Sequence, residues 1–247
     1  MPVPHLNCGM RSCHSIDQIM LFSNKLNGEK WQTQSDRARR NCRVPKKPQR
    51  LSPWEKTKRT GMSDIAFIGE SSFLYQKLFA EAGVSYQFVS ADLLGSPFLP
   101  RFKVIIIPTG FANPLYSKAL AGLQRASSRV ADFVREGGIL TVFGPMVAEH
   151  RYDWLPLPLE YVCELGSQSI GLSSHECTCI LCTSTPECDG FLIPGQGFET
   201  VLKDGKGRAV LVAGELGQGL ILATSVHEFP SVEFMRWAVS RAKEARL

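Results

Sequence analysis

The residues best suited to chemistry fall in two short stretches. The first is His175-Glu176-Cys177-Thr178-Cys179-Ile180-Leu181-Cys182, with Cys188 beyond it. Five of the chain's eight cysteines lie between Cys163 and Cys188. Thiolates and imidazoles ligate zinc, and a thiolate beside an imidazole is a nucleophile. In a strand, Cys177 and Cys179 share one face and Cys182 takes the other, which spoils a one-face metal cage. Zinc sites also pair two short Cys knuckles at a longer separation than this. Three readings stay open: a metal-binding module on Cys177, Cys179, Cys182 and Cys188, a reactive thiol near His227, and thiols buried as small apolar side chains. The last leads.

The second stretch is His227-Glu228, just past an apolar run at residues 220–224. If that run is a strand of an open α/β sheet, the pair stands at the edge where ligands bind. His227 then serves as base or ligand contact, with Glu228 orienting it. The competing reading puts Glu228 near the N-terminus of the next helix and His227 in a loop hydrogen bond. A weaker candidate is Glu70-Ser71-Ser72, which follows a strand and opens a helix. Its backbone could meet an anion, but Glu70 repels phosphate and the Gly-rich pattern is missing, so capping is the better reading.

The elements that must position these residues follow a regular pattern from Met62 onward. Residues 65–68 form a short buried strand, stopped by Gly69. The following helix carries Leu74, Leu78 and Ala82 at four-residue spacing and ends at Gly83. Residues 86–89 read as a second strand. Residues 103–107, Lys-Val-Ile-Ile-Ile, have the continuous β-branched character of a central parallel strand, broken by Pro108-Thr109-Gly110. A long helix over residues 117–136 buries Leu120, Leu123, Val130, Phe133 and Val134. Gly137-Gly138 ends it, and a strand at 139–143 closes on Gly144-Pro145. This alternation predicts an α/β fold with a doubly wound, mostly parallel sheet. Residues 146–175 read as irregular and 177–183 as a strand. Short strands at 198–202, 209–213 and 220–224 extend the sheet or lie over its edge. Pro230-Ser231 opens a last helix with Phe234, Trp237 and Ala238 facing inward.

Three junctions together resemble the class I glutamine amidotransferase-like superfamily, whose flavodoxin-like members form a three-layer sandwich. Ile105-Ile106-Ile107-Pro108-Thr109-Gly110 resembles the strand whose following glycines supply the oxyanion hole. Gly137-Gly138-Ile139-Leu140-Thr141-Val142-Phe143-Gly144 resembles the strand and elbow that hold the nucleophilic cysteine. Gly217-Gln218-Gly219-Leu220-Ile221-Leu222-Ala223-Thr224-Ser225-Val226-His227-Glu228 is similar to the closing strand that delivers a catalytic His and Glu. The resemblance covers residues 62–247. It also departs from the family: no Cys or Ser lies between Gly137 and Pro145, and Thr109 replaces one glycine of the usual pair. Glutamine hydrolysis needs a thiolate on that turn beside its base. The resemblance therefore implies a relative without that reaction, binding a small ligand or protein partner at the C-terminal strand ends. Its lining would include Gly69, Ser71, Thr109, Gly110, Gly144, His227 and Glu228. The alternatives are a hydrolase that uses a relocated cysteine with His227 as base, and the metal module. No cofactor is expected, a metal excepted.

Composition fits this reading. Residues 1–61 hold 13 Lys/Arg against 4 Asp/Glu, a net of +9, while residues 62–247 hold 15 against 19, a net of −4. Nucleic acid could thus be engaged only by the basic arm, whose weak apolar periodicity marks it as an extension that cannot order on its own core. No apolar run approaches a membrane span, and no basic-then-apolar leader opens the chain. Eight cysteines without a leader point to reduced thiols and a cytoplasmic setting.

Overall fold

A computed structural model describes residues 63–247, apart from 168, 169, 171, 172, 174, 183–185 and 228. The expectations for the arm at 1–61 and for Glu228 therefore lie outside the described residues.

Strand β1 (Ile65–Ile68) is buried along its whole length, as are β4 (Val104–Ile107) and β5 (Ile139–Val142). Continuous apolar sequence suits them because helices cover both faces. Strand β2 (Tyr86–Val89) pairs with β1, and β11 (Gly219–Thr224) pairs with β5, so β2-β1-β4-β5-β11 run parallel. The sheet then continues antiparallel through β10 (Ala209–Leu216), β8 (Glu187–Pro194), β7 (Leu159–Ser167) and β6 (Glu149–Arg151). Strand β9 (Glu199–Lys203) also pairs with β10. The fold is thus α/β on one large mixed sheet of ten strands, rather than a mostly parallel one. A separate ribbon joins β3 (Arg101–Phe102) to β12 (Ala245–Arg246).

Four helices cover the parallel half. Helices α1 (Phe73–Ala82) and α4 (Val232–Arg241) pack Tyr75, Phe79, Phe234 and Met235 into one apolar cluster with Phe67, Ile106 and Leu222. Helices α2 (Ala119–Arg125) and α3 (Ser127–Arg135) pack Leu123, Val130 and Phe133 into a second, with Ile105, Leu140 and Ile221. Adjacent strand residues divide between the two clusters, as strand alternation requires. Each fully buried Leu, Ile, Val or Phe contributes about 1.5–3 kcal/mol.

Four expectations need correction. The buried stripe of α1 is Tyr75-Phe79-Ala82, and Leu74 is exposed. The two rings pack on Phe67 and bury more apolar area than two leucines would. The single helix at 117–136 is two helices meeting at Ala126 (φ −94°, ψ 11°). The stretch expected to be irregular holds all of β6 and β7. The expected strand at 177–183 is instead a 3₁₀ turn, Glu176–Ile180, capped by the His175 ring accepting from the Cys177 amide.

Candidate functional site

The C-terminal ends of β1, β4, β5 and β11 meet along one edge of the sheet. After β4 the chain turns at Pro108-Thr109-Gly110, with Gly110 at φ 85°. The Gly110 N–H, the candidate oxyanion donor, donates to Gly144 O at 2.8 Å. That donor is already committed to the neighbouring loop. After β5 the buried residues Phe143, Gly144 and Pro145 lead to Met146 at φ 55°. Among the described residues Met146 alone, apart from glycines, has positive φ. A left-handed conformation costs a side-chain-bearing residue about 1–2 kcal/mol. The strained turn after this strand therefore exists, two residues beyond Gly144, and a thioether occupies it. Asn113 Nδ2 donates to Met146 O at 2.9 Å. A Cβ on Gly110 would lie 3.5 Å from Met146 Sδ, so the thioether sits over Gly110.

His227 follows β11 and is 22% exposed, with Nδ1 2.8 Å from Asp189 Oδ1. Asp189 comes from β8, and its side chain is 5% exposed. The two segments are zipped together: Asp189 N–H donates to Ser225 O at 2.8 Å, and His227 N–H to Glu187 O at 2.9 Å. Tyr161 Oη donates to Asp189 O at 2.8 Å. A carboxylate oxygen accepts, so this contact is made by a proton on Nδ1 and fixes the orientation of the imidazole ring. Asp189 Oδ2 is buried without a hydrogen bond and faces Gly144, where a Cβ would stand 3.1 Å away. The structure thus gathers Gly144, Asp189 and His227. Asp189 is a carboxylate in contact with the His227 ring.

A cleft of about 570 Å³ opens at the C-terminal ends of β1, β2 and β4. Gly69, Glu70 and Ser72 after β1, Asp92 after β2, and Thr109 and Lys118 after β4 line it. The cleft lies where chain connections leave β1 and β4 for opposite layers, the switch point at which open α/β sheets bind ligands. Gly69 and Thr109 fall on its wall. Ser71 is exposed, and neither it nor Gly110, Gly144 or His227 lines the cleft.

The cysteines separate. Cys177 is fully buried, with Sγ 3.0 Å from His175 Nδ1, and His175 Nε2 is 3.0 Å from Glu199 Oε1. Burial, reinforced by Cys179, pushes the Cys177 thiol up to about 12. It is a poor nucleophile held as a thiol. Burial also raises Cys179. Cys182 is exposed, and its Sγ donates to Phe229 O at 3.2 Å. Cys188 is buried in β8, bridged to Val226. No three His, Cys, Asp or Glu side chains converge on a common point among the described residues. The four cysteines named as metal ligands therefore do not form a cage there: Cys177 and Cys179 lie in the 3₁₀ turn, Cys182 follows it and Cys188 lies in β8.

Sequence reasoning missed Asp189 and Met146. An Asp inside a strand-like Glu-Cys-Asp-Gly-Phe-Leu run was the available signal for the first. No signal in the sequence marks the second.

No family model matches the chain, and no curated protein matches it. Solved structures resemble it distantly. A β-galactosidase from Bacillus circulans sp. alkalophilus is 14% identical at a TM-score of 0.44, covering 72% of this chain, which spans only 30% of that enzyme. A cytoplasmic protein from Salmonella typhimurium is 14% identical at 0.46, covering 73% of this chain and 99% of its own. A protein from Thermoplasma acidophilum, proposed to be part of a GMP synthase, is 11% identical at 0.47, covering 72% and 94%. No helix among the described residues is long and apolar enough to cross a membrane.

Proposed function

We propose that residues 62–247 form a divergent amidotransferase-like domain. Its parallel half is flavodoxin-like, it lacks glutaminase chemistry, and it binds a small ligand or protein partner at the C-terminal strand ends in a cytoplasmic setting. The single observation that carries this reading is the occupant of the strained elbow. Met146 holds the turn where acyl-transfer enzymes of this architecture need a thiolate. Three further features support it. The Gly110 N–H is spent on Gly144 O, and the buried Cys177 thiol is paired with His175 rather than His227. The strand order β2-β1-β4-β5-β11 matches the 2-1-3-4-5 order of flavodoxin-like sheets. His227 and Asp189 remain as a polar pair able to orient a ligand.

The test is ammonia release from glutamine by the full chain, beside single Cys→Ala variants of Cys177, Cys179, Cys182 and Cys188. We expect no release above a buffer blank. Release that one of these substitutions abolishes would establish a relocated nucleophile and overturn the reading.

A further inference from the structure

We propose that the cleft at the β1/β4 switch point binds a neutral ribonucleoside. This deepens the ligand-binding reading above and rests on it. The cleft's volume of about 570 Å³ is within the range of small-molecule sites and exceeds what a nucleoside occupies. Its walls offer the two chemistries a nucleoside presents.

One is a diol acceptor. Asp92 stands just past β2, in the turn Ala91–Leu93, and lines the cleft. In dinucleotide-binding Rossmann sheets an acidic residue about 20 residues past the first βα turn accepts a hydrogen bond from the ribose 2′-OH, and Asp92 stands at a similar remove from Gly69. Arg125 pairs with Asp92 Oδ1 at the surface, and Ser90 Oγ accepts from the Asp92 backbone N–H where the turn begins. The other is a platform for a flat base. Leu115 and Tyr116 also line the cleft and are 86% and 54% exposed. An aromatic ring and a leucine left uncovered in a cleft suit stacking and apolar contact with a base.

The charges choose nucleoside over nucleotide. The ionisable groups other than tyrosine on the cleft wall are Glu70, Asp92 and Lys118, and Asp92 is already paired with Arg125, so the group that disfavours a phosphate is Glu70. Glu70 sits in the turn between β1 and α1, where a 5′-phosphate would otherwise meet backbone N–H groups. Placed there, it repels phosphate.

The experiment is calorimetric titration of the full chain with adenosine, guanosine, cytidine and uridine. It is repeated with 2′,3′-dideoxyadenosine and with AMP. At least one ribonucleoside should bind. Removal of the diol should weaken binding about tenfold or more, the loss expected for hydrogen bonds to a charged acceptor. Asp92→Asn, an exposed substitution that spares the core, should reproduce that loss for adenosine and leave the dideoxy analogue unaffected. AMP should bind more weakly than adenosine. Silence with all four ribonucleosides at millimolar concentration, equal affinity for the dideoxy analogue, or tighter binding of AMP would each overturn the proposal. Ammonia release is read separately, so failure here leaves the elbow argument standing or falling on its own test.

Discussion

Asp64 ties together the starts of the three strands whose far ends form the cleft. Its Oδ1 accepts from Lys103 Nζ at 2.8 Å, and its Oδ2 accepts from Ser85 Oγ at 2.6 Å and Ser85 N–H at 3.1 Å. Its backbone carbonyl takes the N–H groups of Lys103 and Val104. Burial pushes the carboxyl up, but the bonds from Lys103 and Ser85 outweigh it and hold the group below the usual range. The Lys103 and Asp64 side chains are 29% and 25% exposed, so solvent screening limits their ion pair to about 1 kcal/mol. Two further hydrogen bonds add about 1 kcal/mol each. Asp64→Ala should therefore cost about 3 kcal/mol, a fall in Tm of roughly 6–12 °C for a domain of this size. Asp64→Asn keeps an acceptor for Ser85 and should cost about 1 kcal/mol. A folded-state pKa below the unfolded value gives stability that is full above about pH 4 and is lost as pH falls through the lower folded value. Urea unfolding from pH 8 to pH 3 is the assay. The gap between wild type and Asp64→Asn should stay constant down to about pH 5 and narrow below pH 4. A gap unchanged at pH 3, or an alanine variant no worse than the asparagine one, would refute the reasoning.

Two further outcomes are expected. His227→Ala leaves the buried Asp189 carboxylate without its imidazole and should cost about 3 kcal/mol or more. Adding Asp189→Asn should restore part of that loss, and a double variant less stable than His227→Ala would contradict the pairing. The Cys177 thiol, buried and pushed up to about 12, should resist a disulfide reagent at pH 8 until urea unfolds the chain, whereas Cys163 and Cys182 are exposed and should react at once. Rapid native labelling of Cys177, read by peptide mass, would contradict its burial.

The parallel half of the sheet was legible because buried central strands need no alternation. Residues 65–68 and 139–142 stand where their apolar runs placed them, and the half-buried edge strand at 86–89 was marked by its aromatic and β-branched residues. The Gly137-Gly138 stop was legible as punctuation, but part of its cause is packing: a Cβ on Gly138 would lie 2.2 Å from Phe133 Cε1. The antiparallel half was harder. Strand β7 alternates Leu159 and Tyr161 inward with Glu160 outward, yet short polar-faced strands resemble loops when their partners are unknown. The 3₁₀ turn at 176–180 depends on the His175 ring as its cap, which local pattern does not announce. Of the residues that the structure places at the C-terminal sheet edge, the sequence offered His227 and the β4 and β5 junctions. It did not offer Asp189, since its partner lies 38 residues away and pairing across strands joins them. Met146 was hidden because its importance lies in a backbone angle, and methionine is no marker of positive φ.

The most direct test is where a ligand perturbs the backbone. Amide chemical shifts of the labelled chain should be followed while a panel of nucleosides, amino acids and sugars is added at millimolar concentration. Any binder should shift the amides of Gly69, Asp92, Thr109 and Ser117, which ring the cleft at the C-terminal strand ends. Shifts confined to β6, β7 and β9, or to the turn Glu176–Ile180, would place recognition away from that edge and contradict the account.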